Sequence, residues 1–327
     1  MDFRTQINIV RKGNEISHKD RIVMMGSCFA ENIGQKLIQD KFNVDLNPFG
    51  ILYNPVSVAQ SIDILLEKKM FEESDIFFDK GVYHSFHHHG KFSDSDKDKF
   101  LNNINVSIDR SGDYLKEASF LLVTFGTAYV YEYKKTGKIV SNCHKVPASE
   151  FQRCRLNVAC IVTLWDDIIS KLHAANPNLT ILFTVSPIRH LRDGLHDNQL
   201  SKSTLLLAID ELRRKFSFVG YFPSYEILID DLRDYRFYDE DLVHPNHTAI
   251  NYVWEVFAQT HFSKNTQGIN KEWGKISQAL QHRPFNTETE EHKHFLKQTL
   301  LKLESFHDKY PYIYCDNEIS SLKDMIS

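Results

Sequence analysis

Cysteine is scarce in this chain, and its distribution excludes a cysteine-based framework. Only five of the 327 residues are cysteines, an odd number without a close pair: Cys28, Cys143, Cys154, Cys160 and Cys315. Neither a disulfide scaffold nor a four-cysteine zinc site fits this spacing. We therefore expect reduced thiols and no metal held by cysteine.

Long apolar runs and an excess of positive charge are also lacking. The longest apolar runs, such as "LTILFTV", are too short to cross a membrane, and the first residues lack the apolar stretch of a secretory signal. The formal net charge is −4, so no overall basic field is available to bind nucleic acid. These features predict a cytoplasmic protein without a membrane or nucleic-acid partner.

The chain does have the composition of an ordinary globular protein, 42% hydrophobic and 25% charged, in which apolar strand-like runs alternate with helical patterns. The predicted strands lie at 21–25, 42–46, 119–125, 179–185 and 216–222, and the predicted helices at 28–41, 55–68, 157–174 and 200–216. Apolar strands separated by helices are typical of a parallel sheet covered on both faces. The sequence therefore predicts a three-layer α/β/α domain.

Two segments depart from this alternation. Residues 70–95 combine aromatic side chains with a group of histidines, which favours a hairpin or an ordered loop that forms a substrate wall at the edge of a ligand crevice. From about residue 263 the chain is more polar, with apolar residues at helical spacing: Leu296, Leu300, Leu303 and Phe306. We expect a main domain over 1–262 and a C-terminal helical extension over 263–327.

The stretch "RIVMMGSCFAENIG" places a serine where chemistry is expected. Ligand crevices of parallel sheets lie beyond the carboxyl ends of the strands, and Ser27 stands between an apolar strand and the helix that follows it. Two other strands end at comparable dipeptides, Gly126-Thr127 and Ser186-Pro187. As alternatives, Ser27 is a structural N-cap of the helix, or Cys28 is the nucleophile, because a helix N-terminus lowers the pKa of a thiol.

A second stretch, "FYDEDLVHPNH", supplies partners for a serine nucleophile. Asp241 and His244 are three residues apart on the approach to a helix, a spacing that can put a carboxylate beside an imidazole. A serine hydroxyl becomes a nucleophile when an imidazole takes its proton and a carboxylate orients that imidazole. The residues thus predict a catalytic triad of Ser27, His244 and Asp241, with Asp239 and Glu240 as alternative acids and a surface histidine before a helix as the non-catalytic interpretation of His244.

An ordered set of motifs extends across about residues 20–262: "MGSCFAENIG", "NPFGILYNP", "TFGTAYVY", "NCHKVP", "TVSPIRH", "SKS" and "YFPSYEILIDDLRDYRFYDEDLVHPN". As a set they resemble the GSCFA-domain family, a branch related to the SGNH (GDSL-like) hydrolases. The resemblance implies a flavodoxin-like α/β/α fold and esterase-type serine chemistry that needs no cofactor. In it, Ser27 matches the nucleophile, and Asp241 and His244 match the Asp-x-x-His of the last motif.

Two departures from the wider SGNH superfamily concern the oxyanion hole. The usual Gly-Asp-Ser of the first block reads "MGS", and the usual Gly-x-Asn-Asp of the third reads "GTAY". In that superfamily the donors are the backbone N–H groups of the serine and of a second-block glycine, together with an asparagine amide. The resemblance implies Ser27 and Gly50 as backbone donors, with Thr127 or Asn54 in place of the amide. Gly50 is alternatively a turn glycine with positive φ.

Histidines and basic residues near the expected loops have two interpretations each. The segment "HSFHHHG" is either a metal site or a crevice-lining loop. Adjacent side chains on an extended segment point to opposite faces, so consecutive histidines make a poor tetrahedral set, and we expect no metal. The side chains expected to bind an anionic or polyhydroxylated substrate, with structural hydrogen bonds as the alternative, are His89, His144, Lys145 and Arg189.

The residues and the resemblance together predict a serine esterase of the SGNH type. Its expected substrate is an acyl ester, for example an O-acetyl ester, of a carbohydrate or small polar metabolite, cleaved through an acyl-serine intermediate. One alternative is an O-acyltransferase that uses the same serine. The other is a binding protein of the same fold without catalytic activity, which the altered first and third blocks favour.

Overall fold

The computed structural model describes residues 5–10, 15–282, 284–286 and 289–326. The strands are β1 (Arg21–Gly26), β2 (Asn43–Leu46), β3 (Phe77–Asp79), β4 (Val82–His84), β5 (Phe120–Phe125), β6 (Tyr129–Tyr133), β7 (Lys138–Val140), β8 (Phe151–Arg155), β9 (Thr180–Val185) and β10 (Val219–Tyr221). The helices are α1 (Cys28–Gln39), α2 (Pro55–Glu67), α3 (Lys97–Lys116), α4 (Val158–Ala175), α5 (Gly194–Lys215), α6 (Ser224–Glu226), α7 (His247–His261), α8 (Lys264–Leu280), α9 (Glu290–Lys309) and α10 (Asp316–Ile326).

A five-stranded parallel sheet forms the centre of the main domain, with strand order β10-β9-β5-β1-β2. Numbered along the chain within this sheet, the order is 2-1-3-4-5, which is the flavodoxin-like arrangement. Chain connections leave in opposite directions from β1 and β5, so the topological switch point lies between these two strands. The predicted three-layer α/β/α fold is confirmed.

The sheet is buried on both faces, which explains its nearly continuous apolar strands. All six residues of β5 are buried, and β1 is buried after its first residue. Val23 and Met25 pack on one face with the apolar sides of α2, α3, α4 and α5. Ile22 and Met24 pack on the other face with α1 and α7. Because side chains alternate along a strand, each strand contributes to both layers of core.

Most of the predicted elements are present, and three features were not predicted. α5 begins at Gly194, six residues before the predicted start of that helix. α3 was missed because its sequence is mostly polar and only a narrow stripe of its residues is buried. The strands β6, β7 and β8 form a separate antiparallel sheet with order β7-β6-β8, inserted after β5. These strands were not predicted because they are short and do not form long apolar runs.

The segment 70–95 forms the predicted hairpin, in which β3 and β4 pair antiparallel. The C-terminal helices α8, α9 and α10 share a core of their own that includes Trp273, Leu303 and Phe306. This core is attached to the main domain by specific bonds. The indole Nε1 of Trp273 donates to the carbonyl oxygen of Gln39 at 2.7 Å, and Lys41 pairs with Glu318 at 2.5 Å.

Within the described parts of the chain, no helix has both the length and the apolar character needed to cross a membrane.

Gly26 ends β1 in a conformation that side chains rarely adopt, with φ of +141°. Its N–H donates to the side-chain oxygen of Asn47 at 2.9 Å, and its carbonyl oxygen accepts from the N–H of Leu52 at 2.9 Å. A Cβ atom at this position would lie 2.2 Å from the carbonyl oxygen of Thr124 on the paired strand. Glycine is therefore required for β1 to stay paired with β5 while the chain turns into Ser27.

Replacing Gly26 with alanine is expected to destabilise the fold by about 3 kcal/mol or more, because it adds both backbone strain and a clash with a strand. The matched control is Gly268→Ala, since Gly268 lies in α8 with no atom near the added methyl group. There the helix propensity of alanine should stabilise by about 0.5–1 kcal/mol. Urea unfolding followed by circular dichroism measures both, and equal midpoints for Gly26→Ala and the wild type would contradict this account of the turn.

Candidate active site

A cavity of about 580 Å³ lies at the carboxyl edge of the sheet, at the switch point between β1 and β5. Its lining comes from the ends of β1, β5 and β9, from the inserted antiparallel sheet, and from the segment that precedes α7. Ser27, Asp241 and His244 all line it. The first strand and the last helix of the main domain thus bring their ends together, as the triad prediction requires.

Ser27 occupies the N-cap position of α1, but its side chain does not cap the helix. The residue is 1% exposed, and its Oγ has no hydrogen-bond partner among the residues described. A buried hydroxyl normally bonds to a neighbour, and an N-cap serine normally bonds to an amide of the first turn. The position therefore fits the N-cap alternative, whereas the hydroxyl itself makes none of the bonds expected of a cap.

Asp241 and His244 form a bonded pair on a tight turn. One carboxylate oxygen of Asp241 accepts from the backbone N–H groups of Val243 and His244, both at 2.9 Å, and the other lies 2.5 Å from His244 Nδ1. The backbone and side-chain hydrogen bonds from His244 lower the pKa of Asp241 to about 2. The acid is thus ionised at neutral pH and fixes the proton of the imidazole on Nδ1. Asp239 and Glu240 make no such bond to the imidazole among the described contacts.

The serine and the imidazole are not hydrogen-bonded to each other, since Ser27 Oγ has no hydrogen-bond partner among the described residues. Within the described residues, His244 Nε2 likewise has no hydrogen bond, and the His244 side chain is 51% exposed. In empty sites, catalytic hydrogen bonds are often long and tighten when substrate binds. The oriented imidazole and the unbonded hydroxyl thus belong to residues that line the same cavity.

Cys28, the alternative nucleophile, also lines the cavity. Burial raises the pKa of its thiol above the ordinary value, and this effect is larger than the opposing effect of the helix N-terminus. A thiol with a raised pKa is mostly protonated at neutral pH and is a weak nucleophile. The expected lowering of this pKa was wrong.

Gly50, the proposed second backbone donor, does not line the cavity in the described structure. Its N–H donates to the carbonyl oxygen of Asn47 at 2.7 Å, its φ is +79°, and it packs against His89. This is the turn role stated as the alternative, and the bonded N–H does not support the oxyanion role. The N–H of Ser27 itself donates to the carbonyl oxygen of Thr124, but at a long 3.3 Å.

Thr127 and Asn54 both line the cavity, and both have structural bonds. The side-chain Oδ1 of Asn54 caps α2 by accepting from the N–H of Ser57 at 2.9 Å. The side-chain Nδ2 of Asn54 donates to the hydroxyl of the same serine at 3.0 Å. Thr127 Oγ1 accepts from the N–H of Tyr129 at 3.1 Å and lies 3.1 Å from the Ser201 hydroxyl. Each side chain retains one hydrogen that it is able to donate into the cavity: the second amide hydrogen of Asn54, and the Thr127 hydroxyl hydrogen when Ser201 donates to it.

Of the four side chains expected to bind substrate, the structure brings only Arg189 to the cavity. His144 is buried, and its Nε2 lies 2.8 Å from the carbonyl oxygen of Ser85. His89 packs against Gly50, and Lys145 is exposed in a turn with φ of +60°. For these three the prediction of a cavity position was wrong, because they belong to the hairpin region and the loop that packs on it.

The histidine-rich hairpin is held by ring packing. His88 is 1% exposed and stacks on Phe49 at 4.7 Å between ring centroids, and burial lowers its pKa to about 3. His84 and His144 pack at 4.4 Å. No group of three potential metal ligands occurs in the part of the chain that the structure describes. The hairpin contributes no residue to the cavity lining, so the expectation that it forms a substrate wall was wrong.

The wall comes instead from the antiparallel sheet that the sequence analysis missed. Tyr129 and Tyr131 lie on one face of β6, and Arg153 of the paired strand β8 lies 3.8 Å from the ring centroid of Tyr129. Tyr53 adds a third aromatic side chain to the lining. The alternation of tyrosines in "YVYEY" was the available signal, because residues two apart share a face of a strand.

A buried lysine lies beneath this edge of the sheet. Lys202 on α5 is 0% exposed, and its Nζ donates to the carbonyl oxygens of Gly126 at 2.6 Å and Ser186 at 2.7 Å. These carbonyls end β5 and β9, so the ammonium group ties together the two loops that follow them. Burial lowers the pKa of Lys202 to about 7. Burial also lowers the pKa of the cavity residue His190 to about 4, so this imidazole is neutral at pH 7.

The unusual pKa of Lys202 predicts a pH-dependent stability difference. Its folded pKa of about 7 lies below the ordinary 10.5, so between these values the unfolded chain binds more protons, and the free energy of unfolding rises with pH. Relative to Lys202→Met, the wild type should gain on the order of 1.4 kcal/mol per pH unit above pH 7. Denaturant unfolding at several pH values between 6 and 9.5 measures this slope. Parallel pH profiles for the two proteins would show that the lysine does not titrate in this range.

Comparison with known proteins identifies the family. The sequence profile of the GSCFA family matches residues 21–257, and that of the GSCFA domain protein C-terminal domain matches residues 273–327. The search of curated proteins found no match. Among solved structures, the chain is similar to a family 3 carbohydrate esterase of Clostridium thermocellum, with a TM-score of 0.34 and 9% sequence identity, covering 77% of this chain and 97% of the esterase chain. As its ordered motifs predict, and because the first profile covers well over half of its length, the chain belongs to the GSCFA family.

Proposed function

We propose that this protein is a serine esterase of the SGNH type, which hydrolyses an acyl ester of a carbohydrate or small polar metabolite. The observation that carries the proposal is the buried Ser27 hydroxyl, which has no described partner and lies at the same cavity as the bonded pair of Asp241 and His244. Acyl transfer needs a free hydroxyl and an oriented imidazole at one site, and this cavity holds both.

In the first half-reaction, His244 Nε2 accepts the proton of Ser27 as Oγ attacks the carbonyl carbon of the ester. The tetrahedral intermediate collapses when the C–O bond to the alcohol breaks and the imidazolium returns the proton to the leaving oxygen. In the second half-reaction, a water gives a proton to His244 and attacks the acyl carbon. The bond between that carbon and Ser27 Oγ then breaks, the imidazolium returns the proton to Oγ, and the acid is released. Asp241 stays ionised and stabilises the imidazolium in both steps.

The surroundings of the serine support charge development on the substrate. The N-terminus of α1 begins at the next residue, and its unpaired N–H groups carry partial positive charge. The ammonium group of Lys202 is close enough to affect the pKa of the neighbouring Cys28 thiol. Both features favour the negative oxygen of a tetrahedral intermediate. The tyrosines of the wall offer flat surfaces of the kind that pack against sugar rings.

The decisive experiment is labelling with a fluorophosphonate, followed by a screen of 4-nitrophenyl esters of increasing chain length and of acetylated sugars. We expect one phosphonyl adduct on Ser27, together with ester hydrolysis. Absence of both labelling and hydrolysis would indicate a binding protein. Hydrolysis that is replaced by ester formation when acceptor alcohols are added would indicate an acyltransferase.

The triad predicts a hierarchy of losses. Ser27→Ala and His244→Ala should abolish turnover almost completely, because each removes a group that forms or breaks a bond. Asp241→Asn should retain measurable activity, because it leaves an imidazole that is less well oriented. Rates of 4-nitrophenyl acetate hydrolysis provide the measurement, and Cys28→Ala is the control. If Cys28→Ala is inactive and Ser27→Ala is active, the nucleophile is the cysteine.

The oxyanion donor can be identified by comparing substitutions that remove a donor with substitutions that keep the structural bonds. Thr127→Val removes the hydroxyl and should lower kcat on the order of a hundred- to a thousandfold with little change in KM, because the donor acts on the transition state. Thr127→Ser keeps a hydroxyl and should retain most of the rate. For the rival donor, Asn54→Ser keeps an oxygen that is able to cap α2 but removes the amide. Loss of kcat in Asn54→Ser with normal turnover in Thr127→Val would assign the role to Asn54.

A further inference from the structure

The lining of the cavity contains more arginines than carboxylates, so part of its positive charge is not neutralised. Three arginines line it, Arg153, Arg189 and Arg192, together with the carboxylates Asp193 and Asp241. Both carboxylates already have partners. Asp193 pairs with Arg153, and Asp241 is bonded to His244. Among the described residues, Arg189 and Arg192 have no carboxylate within ion-pair distance, so their two charges are free to act on a ligand.

Arg189 is held in place by the segment that carries the triad acid and base. Its guanidinium donates to the hydroxyl of Tyr238 at 3.0 Å, and Tyr238 forms a backbone bridge with Pro245, directly after His244. The bond fixes one end of the guanidinium and leaves its other N–H groups unassigned. Arg189 is half-buried at the cavity, whereas Arg192 is exposed three residues further along the same loop. A partly buried, oriented guanidinium and an exposed one at the same cavity suit a planar anion that enters from solvent.

Arg153 has a different role in the same wall. It stacks on the ring of Tyr129 and is neutralised by Asp193, whose side chain is only 2% exposed. This pair makes a rigid surface next to the aromatic side chains and adds no net charge. The uncompensated charge of the lining is therefore concentrated on the loop over residues 188–193, which follows β9.

We propose that the substrate carries, beside its ester, an anionic group that Arg189 and Arg192 bind, so that the substrate class is an acylated acidic sugar or sugar phosphate. A neutral polyhydroxylated substrate would gain little from two guanidinium groups, whereas a carboxylate or phosphate accepts two parallel N–H bonds from each. This inference rests on the proposed esterase function for its kinetic test. The binding itself is testable without catalysis.

The kinetic test compares acetate release from acetylated sugars that differ in the charge they carry. The pair is O-acetylated galacturonic acid methyl glycoside and its neutral methyl ester, with an O-acetylated glucose phosphate as the phosphate probe. We expect kcat/KM at least tenfold higher for one of the anionic probes than for the neutral ester, with the preference falling as salt rises. Whichever anionic probe is preferred distinguishes a carboxylate from a phosphate. Equal kcat/KM for all three substrates would overturn the inference and leave the esterase function intact.

The variants assign the preference to the loop. Arg189→Gln and Arg192→Gln should each lower the ratio of kcat/KM for the preferred anionic probe over the neutral ester by about threefold or more. The matched control is Arg214→Gln, because Arg214 is an exposed arginine of α5 that is paired with Asp210 and lies outside the cavity lining. This control should keep the wild-type ratio. A preference that survives in both loop variants would contradict the assignment.

Calorimetric titration of the wild type with the same probes separates this inference from the proposed function. If no ester is hydrolysed but an anionic probe binds at least tenfold more tightly than the neutral methyl ester, the anionic specificity holds and the esterase proposal fails. If the charged and neutral probes bind equally, the anionic specificity fails whatever the outcome of the hydrolysis assays.

Discussion

The parallel pairing of β1 with β5 is the constraint on which the candidate site depends. After β1 the chain continues into helix α1 on one face of the sheet, and after β5 it continues, through the antiparallel sheet, into α4 on the other face. The connections thus leave the paired strands in opposite directions, and a crevice lies between them. Gly26 pairs with Thr124 at the last position of this ladder, and a side chain there would collide with the neighbouring strand. The missing side chain lets the strands stay in contact up to the point where Ser27 enters the crevice.

Burial also shifts the pKa values of the ionisable groups at this edge of the sheet. The side chain of Lys202 bonds to the carbonyls that follow β5 and β9, and in its protonated form it raises the positive potential around the crevice. Burial has opposite consequences for its neighbours. It keeps the thiol of Cys28 protonated by raising its pKa, and it keeps His190 neutral by lowering its pKa to about 4. The side chains of the bonded pair of Asp241 and His244, in contrast, are each 51% exposed.

The sequence predicts the central sheet well, because a strand buried on both faces must be apolar and a helix must follow it. It also predicts Ser27, Asp241 and His244 as a set, since each stands at a point where the chain changes structure. It does not predict which loop residues reach the crevice. His144 and Arg189 are both basic residues in motifs that follow strands, yet only Arg189 lines the cavity, because the hairpin and the antiparallel sheet draw His144 into their own packing. The burial of Lys202 was predictable from the sequence, since this lysine lies at helical spacing from Leu205 and Ile209 on the buried face of α5.

The unbonded hydroxyl of Ser27 connects the stability of the fold with its chemistry. A buried polar group without a partner destabilises a protein by about 1–3 kcal/mol, and a slightly different side-chain rotation would let this serine cap α1. The cap bond would occupy one lone pair of Oγ and fix the direction of the hydroxyl. A serine that is fixed at the N-cap position by its backbone but does not cap the helix is therefore less favourable for folding, and it leaves the hydroxyl free for the acyl transfer that we propose. Residues that lower the stability of the fold in this way are expected at functional sites, where the residue type is selected for its function and not for folding.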